Sequence, residues 1–491
     1  MSTNQENNTY KDSAKGIAIF GGLQLYKILL SVVRTKFSAI FLGPVGFGIY
    51  SLVSSTLTTI ELATNCGLGT SAVKDIAASK ENITEVSRIY TVLNRLVWIT
   101  GIVATLICAF GANWLSISAF GNTDYAWMFI ACSISLLFSQ LLPGQSALMS
   151  GLRKYKYITK TNLASSSIGL ITTIIFYWLW GIKAIVAVIL TTTISNYCFS
   201  TFYSKKIKLN KVSVPFKETF SKGHKMVKMG LFISLSSVST VLVGYLIRIF
   251  ISHTSDIATV GLFTAVFSLI NTYLGLVFSS VEQDFFPRLS SVANNHYDFD
   301  LTIRQQNEIV LHILAPLIAV FMITAPLILY IFYSEKFITA ECMMGITACA
   351  MFYKVPSWTL NIGFLSKGDT RIYFACNISF AIYSLLFNIV GFYYGGLEGL
   401  GVSYIISYIV YMLQTYIISA RKYNFRFGKT VWKTILMYSV LLFITYMVTN
   451  IPNLFIRYGV GTILLILVLY ISLKELNKRL GIIHVLKKKF R

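Results

Sequence analysis

Long apolar segments alternate with short charged loops along the whole chain. Fourteen such segments are present, each of about the length that crosses the hydrocarbon core of a bilayer as a helix. The chain is 55% hydrophobic and only 12% charged, whereas a soluble domain has about 25% charged residues. The sequence therefore predicts an all-α polytopic membrane protein. The predicted spans are 15–38, 45–66, 89–112, 124–149, 158–180, 183–203, 229–251, 258–285, 306–333, 341–364, 372–394, 398–420, 431–449 and 454–473.

Basic residues alternate from loop to loop. One set of loops is rich in lysine and arginine, and the opposite set carries only Lys183, Lys336 and Arg457. Basic residues in short loops stay on the cytoplasmic side, so both termini are predicted to be cytoplasmic. The net charge of +23 then reflects topology, and no nucleic-acid partner is expected.

The spans repeat. Arg248 follows Arg34 by 214 positions, and Pro356 follows Pro143 by 213. Six spans is an even number, so the two copies should have the same orientation, as in transporters built from parallel repeats. The predicted architecture is two parallel six-helix repeats plus two extra C-terminal helices, which have few polar residues and should face lipid. Its parts are a first bundle over 1–203, a basic cytoplasmic linker over 204–228, a second bundle over 229–420, and two helices with a basic tail over 421–491.

Polar residues within the spans recur every three or four positions, which places them on one face of a helix. Such faces are predicted to line an aqueous cavity rather than meet lipid. The cavity-lining candidates are Gln24, Ser54, Thr58, Glu61, Asn271, Glu282 and Asn361.

Four basic residues lie deep within spans: Lys27, Arg34, Lys354 and Arg248. A charged side chain at the bilayer centre costs about 2.5–3.5 kcal/mol on insertion scales. These residues are predicted to form a cationic, substrate-binding cavity that attracts an anion. Snorkelling or structural pairing of the arginines is left open as the alternative.

Glu308 and His312 lie one helical turn apart in the ninth span. They are candidates for coupling to a proton or sodium ion, and a structural pair is the alternative. No catalytic constellation, nucleotide loop or metal-ligand set is present in the sequence, so neither an enzyme nor a cofactor is predicted. A membrane-embedded glycan polymerase would need a large outer loop, and the predicted outer loops are short.

One stretch carries a resemblance to a known family. Arg34 in the first helix is followed by the sequence Leu-Gly-Pro-Val-Gly-Phe-Gly at 42–48, and Gly-Leu-Gly at 67–69 leads into a short charged loop. This arrangement resembles the Wzx-type flippases, the O-antigen and polysaccharide-repeat translocases of the multidrug/oligosaccharidyl-lipid/polysaccharide exporter (MOP) superfamily.

The resemblance implies a flippase of the inner (cytoplasmic) membrane. It would move a polyprenyl-diphosphate-linked oligosaccharide between leaflets by alternating access, among membrane lipids and beside polysaccharide polymerase machinery, for O-antigen, capsule or exopolysaccharide synthesis. Two alternatives within the superfamily stay open. A lipid II flippase would account for fourteen spans, and a cation-coupled multidrug antiporter would be expected to place acids deep in its cavity.

Overall fold

The structure is a computed structural model that describes residues 2–210 and 212–480. Its side chains are described at residue 26 and from residue 28 onward, apart from several between 216 and 236 and that of residue 480. Within this part of the chain the regular secondary structure is helical, and no strand is present. The chain forms two compact units, Met1–His253 and Thr254–Arg491.

The described residues of the first unit form eight α-helices, with a short 3₁₀ turn at Gly181–Ala184 between the sixth and the seventh. These helices are α1 Ser2–Asn65, α2 Leu68–Ala78, α3 Ile83–Phe110, α4 Ala112–Phe120, α5 Ala126–Gly151, α6 Tyr155–Trp180, α7 Ile185–Ser204 and α8 Phe216–Thr254.

Up to residue 480, where the described chain ends, the second unit forms another eight α-helices, with a π-helical turn at Ile270–Leu274 and a 3₁₀ turn at Glu335–Ala340. These helices are α9 Ile257–Leu269, α10 Gly275–Ser291, α11 His296–Ile323, α12 Ala325–Phe332, α13 Glu341–Ser366, α14 Thr370–Tyr423, α15 Lys429–Thr449 and α16 Leu454–Leu480.

The helical segments account for all fourteen predicted spans. Eleven continuous segments of the described chain are long and apolar enough to cross a membrane. Two of them, 155–204 and 370–423, each contain two of the predicted spans, and a third, 28–65, overlaps the first two predicted spans. The all-α polytopic architecture with fourteen spans is therefore confirmed.

Glycines end one span and begin the next inside the merged helices. In α1, Gly43 has φ 62° and ψ −174° and precedes Pro44. In α14, Gly396 has φ 55°. A positive φ of this kind is accessible to glycine at little cost, so the chain changes direction at these points without strain.

The two halves of α14 fold back on each other as a hairpin. Ser403 donates a 2.7 Å hydrogen bond to the Asn388 amide oxygen. Near the turn the backbones touch, because a Cβ atom added to Gly399 would lie 2.0 Å from the Gly391 carbonyl oxygen. Only glycine fits such an approach.

Replacing Gly399 with valine is expected to destabilise the second unit by at least about 2 kcal/mol, because the added side chain separates two packed backbones. The measurement is the thermal midpoint of unfolding of the purified protein. Gly395→Ala is the control, since nothing lies within 4 Å of a Cβ atom added there. Equal midpoints for the Gly399 variant and the wild type would show that the hairpin tolerates separation.

The segment that follows α7 packs against the first unit. The backbone amide of Asn210 donates a 3.0 Å hydrogen bond to the Ser87 hydroxyl of α3, and Arg95 donates one of 2.8 Å to the Val214 carbonyl. Val214 is only 3% exposed. The basic linker predicted over 204–228 is therefore docked on α3 along its first part.

Helix α8 belongs to the first compact unit, although the sequence repeat places its membrane-spanning part in the second bundle. His253 at its end contacts the Ser118 carbonyl at 2.7 Å. The repeat boundaries at 203, 229 and 420 stay a prediction, because compactness does not test sequence repetition.

Candidate functional site

Arg34 lies half-buried in the first span and reaches two neighbouring helices. Its Nε donates a 3.1 Å hydrogen bond to Thr173 Oγ1 on α6, and its Nη2 donates one of 3.2 Å to Thr192 Oγ1 on α7. Within the described residues, no carboxylate lies at ion-pair distance from this guanidinium. Arg34 is thus held by neutral groups, and no described residue pairs with its charge.

The two threonines are oriented to accept these bonds. Thr173 donates its own hydroxyl proton to the Gly169 carbonyl at 2.6 Å, and Thr192 donates to the Val188 carbonyl at 2.7 Å. Threonine hydroxyls within helices commonly bond the carbonyl four residues earlier. Each oxygen keeps its lone pairs for the guanidinium, so both the position and the polarity of the acceptors are fixed.

Arg248 joins α8 to the second span. Its Nε donates a 2.8 Å hydrogen bond to Ser51 Oγ, and its Nη1 donates one of 2.8 Å to the Gly244 carbonyl. The sequence repeat assigned one arginine to each bundle. Both arginines lie in the same compact unit, because α8 packs there, and their assignment to different repeats stays a prediction.

The polar face of the second span is partly exposed. Thr58 is exposed, and Ser54 and Glu61 are half-buried. The Glu61 carboxylate hydrogen-bonds to Ser139 on α5. Its backbone carbonyl accepts a 2.8 Å bond from the fully buried Gln140.

Sequence reasoning missed Ser139 and Gln140. Gln140 also bonds Thr64 and Asn65, at 2.6 Å and 2.9 Å. The sequence does contain a sign of their role. Ser139 and Gln140 are adjacent polar residues in the middle of an apolar span, four and three positions before Pro143.

The eighth span contains a π-helical turn at its centre, over Ile270–Leu274. Such turns occur frequently at functional sites. The turn presents Asn271 on the exposed surface of the second unit, with its side chain donating 2.9 Å to the Phe267 carbonyl. Glu282 is also exposed, further along the same span.

The other two candidates of the second unit lie deeper. Lys354 is half-buried, with its Nζ 4.8 Å from the ring centre of Phe278 and 5.9 Å from that of Tyr408. Asn361 is only 8% exposed and donates a 3.3 Å bond to Asn377. In this conformation Asn361 lies inside the unit, and its role as a cavity-lining residue stays a prediction.

Glu308 and His312 contact the two C-terminal helices. Glu308 forms an ion pair with Arg479 of α16. The His312 ring bonds the Tyr438 hydroxyl of α15 at 2.7 Å, and its carbonyl accepts a hydrogen bond from Ser472 of α16. These contacts give both residues a structural role, while their role in ion coupling stays a prediction.

The last two helices are attached by polar contacts as well as by apolar packing. Besides the contacts of Glu308 and His312, Arg457 pairs with Glu341 at 2.8 Å, and Tyr353 bonds Ser439 at 2.9 Å. The outward face of α16 remains apolar, with Ile463 67% exposed. The expectation of a lipid-facing pair therefore describes only one side of these helices.

Two of the predicted site residues, Gln24 and Lys27, lie outside the residues whose side chains are described. Their place in a cationic site stays a prediction.

Comparison with known proteins gives the family. A family model described as "Polysaccharide biosynthesis protein" matches residues 39–341. A putative O-antigen transporter from Shigella flexneri is 24% identical over 315 residues, which cover 63% of this chain and 74% of that protein.

Solved structures share the fold. One described as the lipid II flippase MurJ in an inward closed conformation is similar with a TM-score of 0.74 at 16% identity, covering 94% of this chain and 99% of that one. An inward-facing multidrug resistance MATE family transporter of the MOP superfamily has a TM-score of 0.70 at 14% identity, covering 82% and 95%. This chain therefore has the fold of MOP superfamily transporters and belongs to the polysaccharide biosynthesis protein family.

Proposed function

We propose that this protein is a flippase that moves a polyprenyl-diphosphate-linked oligosaccharide from the cytoplasmic to the outer leaflet of the inner membrane by alternating access. The observation that carries the proposal is the environment of Arg34. A guanidinium within a membrane span, bonded only to two threonine hydroxyls among the described residues, retains its full attraction for an anion. Intramembrane charges of this kind mark substrate pathways.

A diphosphate is a suitable partner for such a group. It carries about two negative charges, and arginine binds phosphate oxygens through a planar fork of donors. Arg248, which bonds neutral acceptors at Ser51 and Gly244, would supply a second positive charge. With the cell interior negative, outward movement of each negative charge is favoured by about 2.3 kcal/mol per 100 mV.

The neutral polar residues suit the glycan. Thr58, Asn271 and the neighbouring exposed residues of the second and eighth spans offer hydroxyl and amide groups that can bond sugar hydroxyls. Their chemistry favours sugars as a class without selecting one. The translocated unit would then be available to polysaccharide polymerase machinery in the outer leaflet, and a proton or sodium gradient would be an additional energy source.

A lipid II flippase is the second candidate. Its support is the fold, since the structure described as MurJ is covered over 99% of its length. Lipid II is itself a polyprenyl-diphosphate glycan, so the cationic residues suit it equally. A multidrug antiporter is less favoured, because a cationic drug would be repelled by Arg34 and Arg248.

The test uses the purified full chain in sealed proteoliposomes that contain one lipid-linked glycan. Exposure of the glycan to an impermeant glycosidase is followed over time, with and without an imposed potential. Protein-dependent exposure of the oligosaccharide, faster than that of lipid II, is the expected result. Preferential exposure of lipid II would favour the second candidate. Transport of a cationic dye without flipping of either lipid would overturn the proposal.

A further inference from the structure

A cavity of about 470 Å³ opens at one end of the first unit, on the face predicted to be cytoplasmic. Three chain segments surround it: the turn before α3, the turn between α5 and α6, and the segment after α7. Its charged lining residues are Lys80, Lys154, Lys206, Lys208 and the single acid Glu81. The cavity lining thus carries a formal charge of +3.

Glu81 is the only acid among the described lining residues, so it offsets one of the four positive charges. In the described part of the chain, the side chains of Lys80, Lys154 and Lys208 form no ion pair and no hydrogen bond. Lys206 lies over an aromatic ring, with its Nζ 4.4 Å from the centre of Phe202. Four ammonium groups around one cavity repel each other, and an anion in the cavity would relieve that repulsion.

The cavity is held in shape by the surrounding structure. The Asn210 amide group donates a 3.1 Å bond to Thr84 Oγ1, and its backbone amide bonds Ser87. These bonds fix the segment that carries Lys206 and Lys208. The Tyr157 ring, which lines the cavity, stacks on Tyr203 at the end of α7 with centres 5.8 Å apart. The four lysines are exposed, and they line a space whose surrounding segments are tied together by these contacts.

We propose that this cavity binds a phosphate-bearing anion at the membrane surface, separately from the transport function proposed above. Lysine binds phosphate as a compact point charge, and clusters of basic residues beside membrane helices attract anionic headgroups. The phosphate can belong to an anionic phospholipid or to a soluble ligand. The ring of Tyr157 and the apolar side chains of Ile83 and Leu152 in the lining favour a ligand with an apolar portion.

Topology alone predicts lysines on this face, but it does not predict that they surround one cavity. The test therefore compares two triple variants with the same loss of charge. The cavity variant is Lys80→Gln, Lys154→Gln and Lys208→Gln. The control variant changes exposed lysines of the same face that do not line the cavity, and its substitutions are Lys74→Gln, Lys156→Gln and Lys205→Gln.

Native mass spectrometry of the purified full chain measures the binding of phosphatidylglycerol, with phosphatidylcholine for comparison. A thermal-shift titration with sodium pyrophosphate, against sodium sulfate at equal ionic strength, measures the soluble source. A lysine that lies close to the bound anionic headgroup contributes about fivefold to its binding, whereas a lysine outside the cavity contributes less to a lipid held in it. The cavity variant is expected to bind at least about tenfold more weakly than the wild type, and the control variant to stay within about twofold.

Phosphatidylglycerol and pyrophosphate together show whether the bound phosphate belongs to a lipid or to a soluble ligand. Binding of phosphatidylglycerol but not pyrophosphate assigns the site to a lipid headgroup, and binding of pyrophosphate assigns it to a soluble phosphate. Equal weakening in both triple variants would overturn the proposal, because it would reduce the effect to the general charge of this face. Equal binding of phosphatidylcholine and phosphatidylglycerol, with no pyrophosphate shift, would also overturn it. Unchanged melting temperatures of the ligand-free variants would confirm that they fold.

Discussion

Arg34→Gln is expected to lower the rate of glycan flipping at least about tenfold in the proteoliposome assay, while the protein still inserts and folds. The substitution keeps a side chain that can reach the Thr173 and Thr192 hydroxyls but removes the positive charge. Two unit charges about 4 Å apart attract each other by roughly 4 kcal/mol at an effective dielectric constant of 20. Losing part of that attraction is enough for a tenfold effect.

Two further variants separate charge from position. Arg34→Lys keeps the charge and loses the fork that bonds both threonines, so an intermediate rate is expected. Arg371→Gln removes an exposed arginine at a helix start and should leave the rate unchanged. A wild-type rate in the Arg34→Gln protein would mean that this arginine only links α1 to α6 and α7.

Arg479→Met is expected to destabilise the second unit by about 3–5 kcal/mol. Glu308 is 7% exposed, and its ion pair with Arg479 holds α16 against α11. Removing one partner of a buried pair leaves an uncompensated buried charge, which accounts for the size of the effect. Chemical denaturation of the purified protein measures it.

The double variant Glu308→Gln, Arg479→Met is the decisive comparison. It should be more stable than Arg479→Met alone, because no charge is left unpaired. If the pair is purely structural, the double variant transports with the same pH dependence as the wild type. A changed pH dependence in both variants that lack the Glu308 carboxylate, Glu308→Gln and the double variant, would instead give that group a role in ion coupling.

The polar residues show where sequence and structure diverge. Thr58, Asn271 and Glu282 are exposed in the structure, and their place in a cavity stays a prediction. Periodicity placed them on polar helix faces, since the spacing of residues along a helix fixes their relative direction. It did not identify the partners of Glu308 and His312, which lie on helices more than a hundred residues away.

By itself, the sequence determined that this protein crosses the membrane fourteen times as helices. The length and apolarity of a span are local properties of the sequence. Because the bilayer core contains no water, the backbone of each span must form its own hydrogen bonds, as a helix does. It also determined which residues are charged within those spans. Only the tertiary structure decided that α8 belongs with the first unit, that Arg34 bonds uncharged threonines and that Glu308 pairs with Arg479. Helical periodicity restricts a side chain to one face of its helix. The packing of neighbouring helices decides which residues that face contacts.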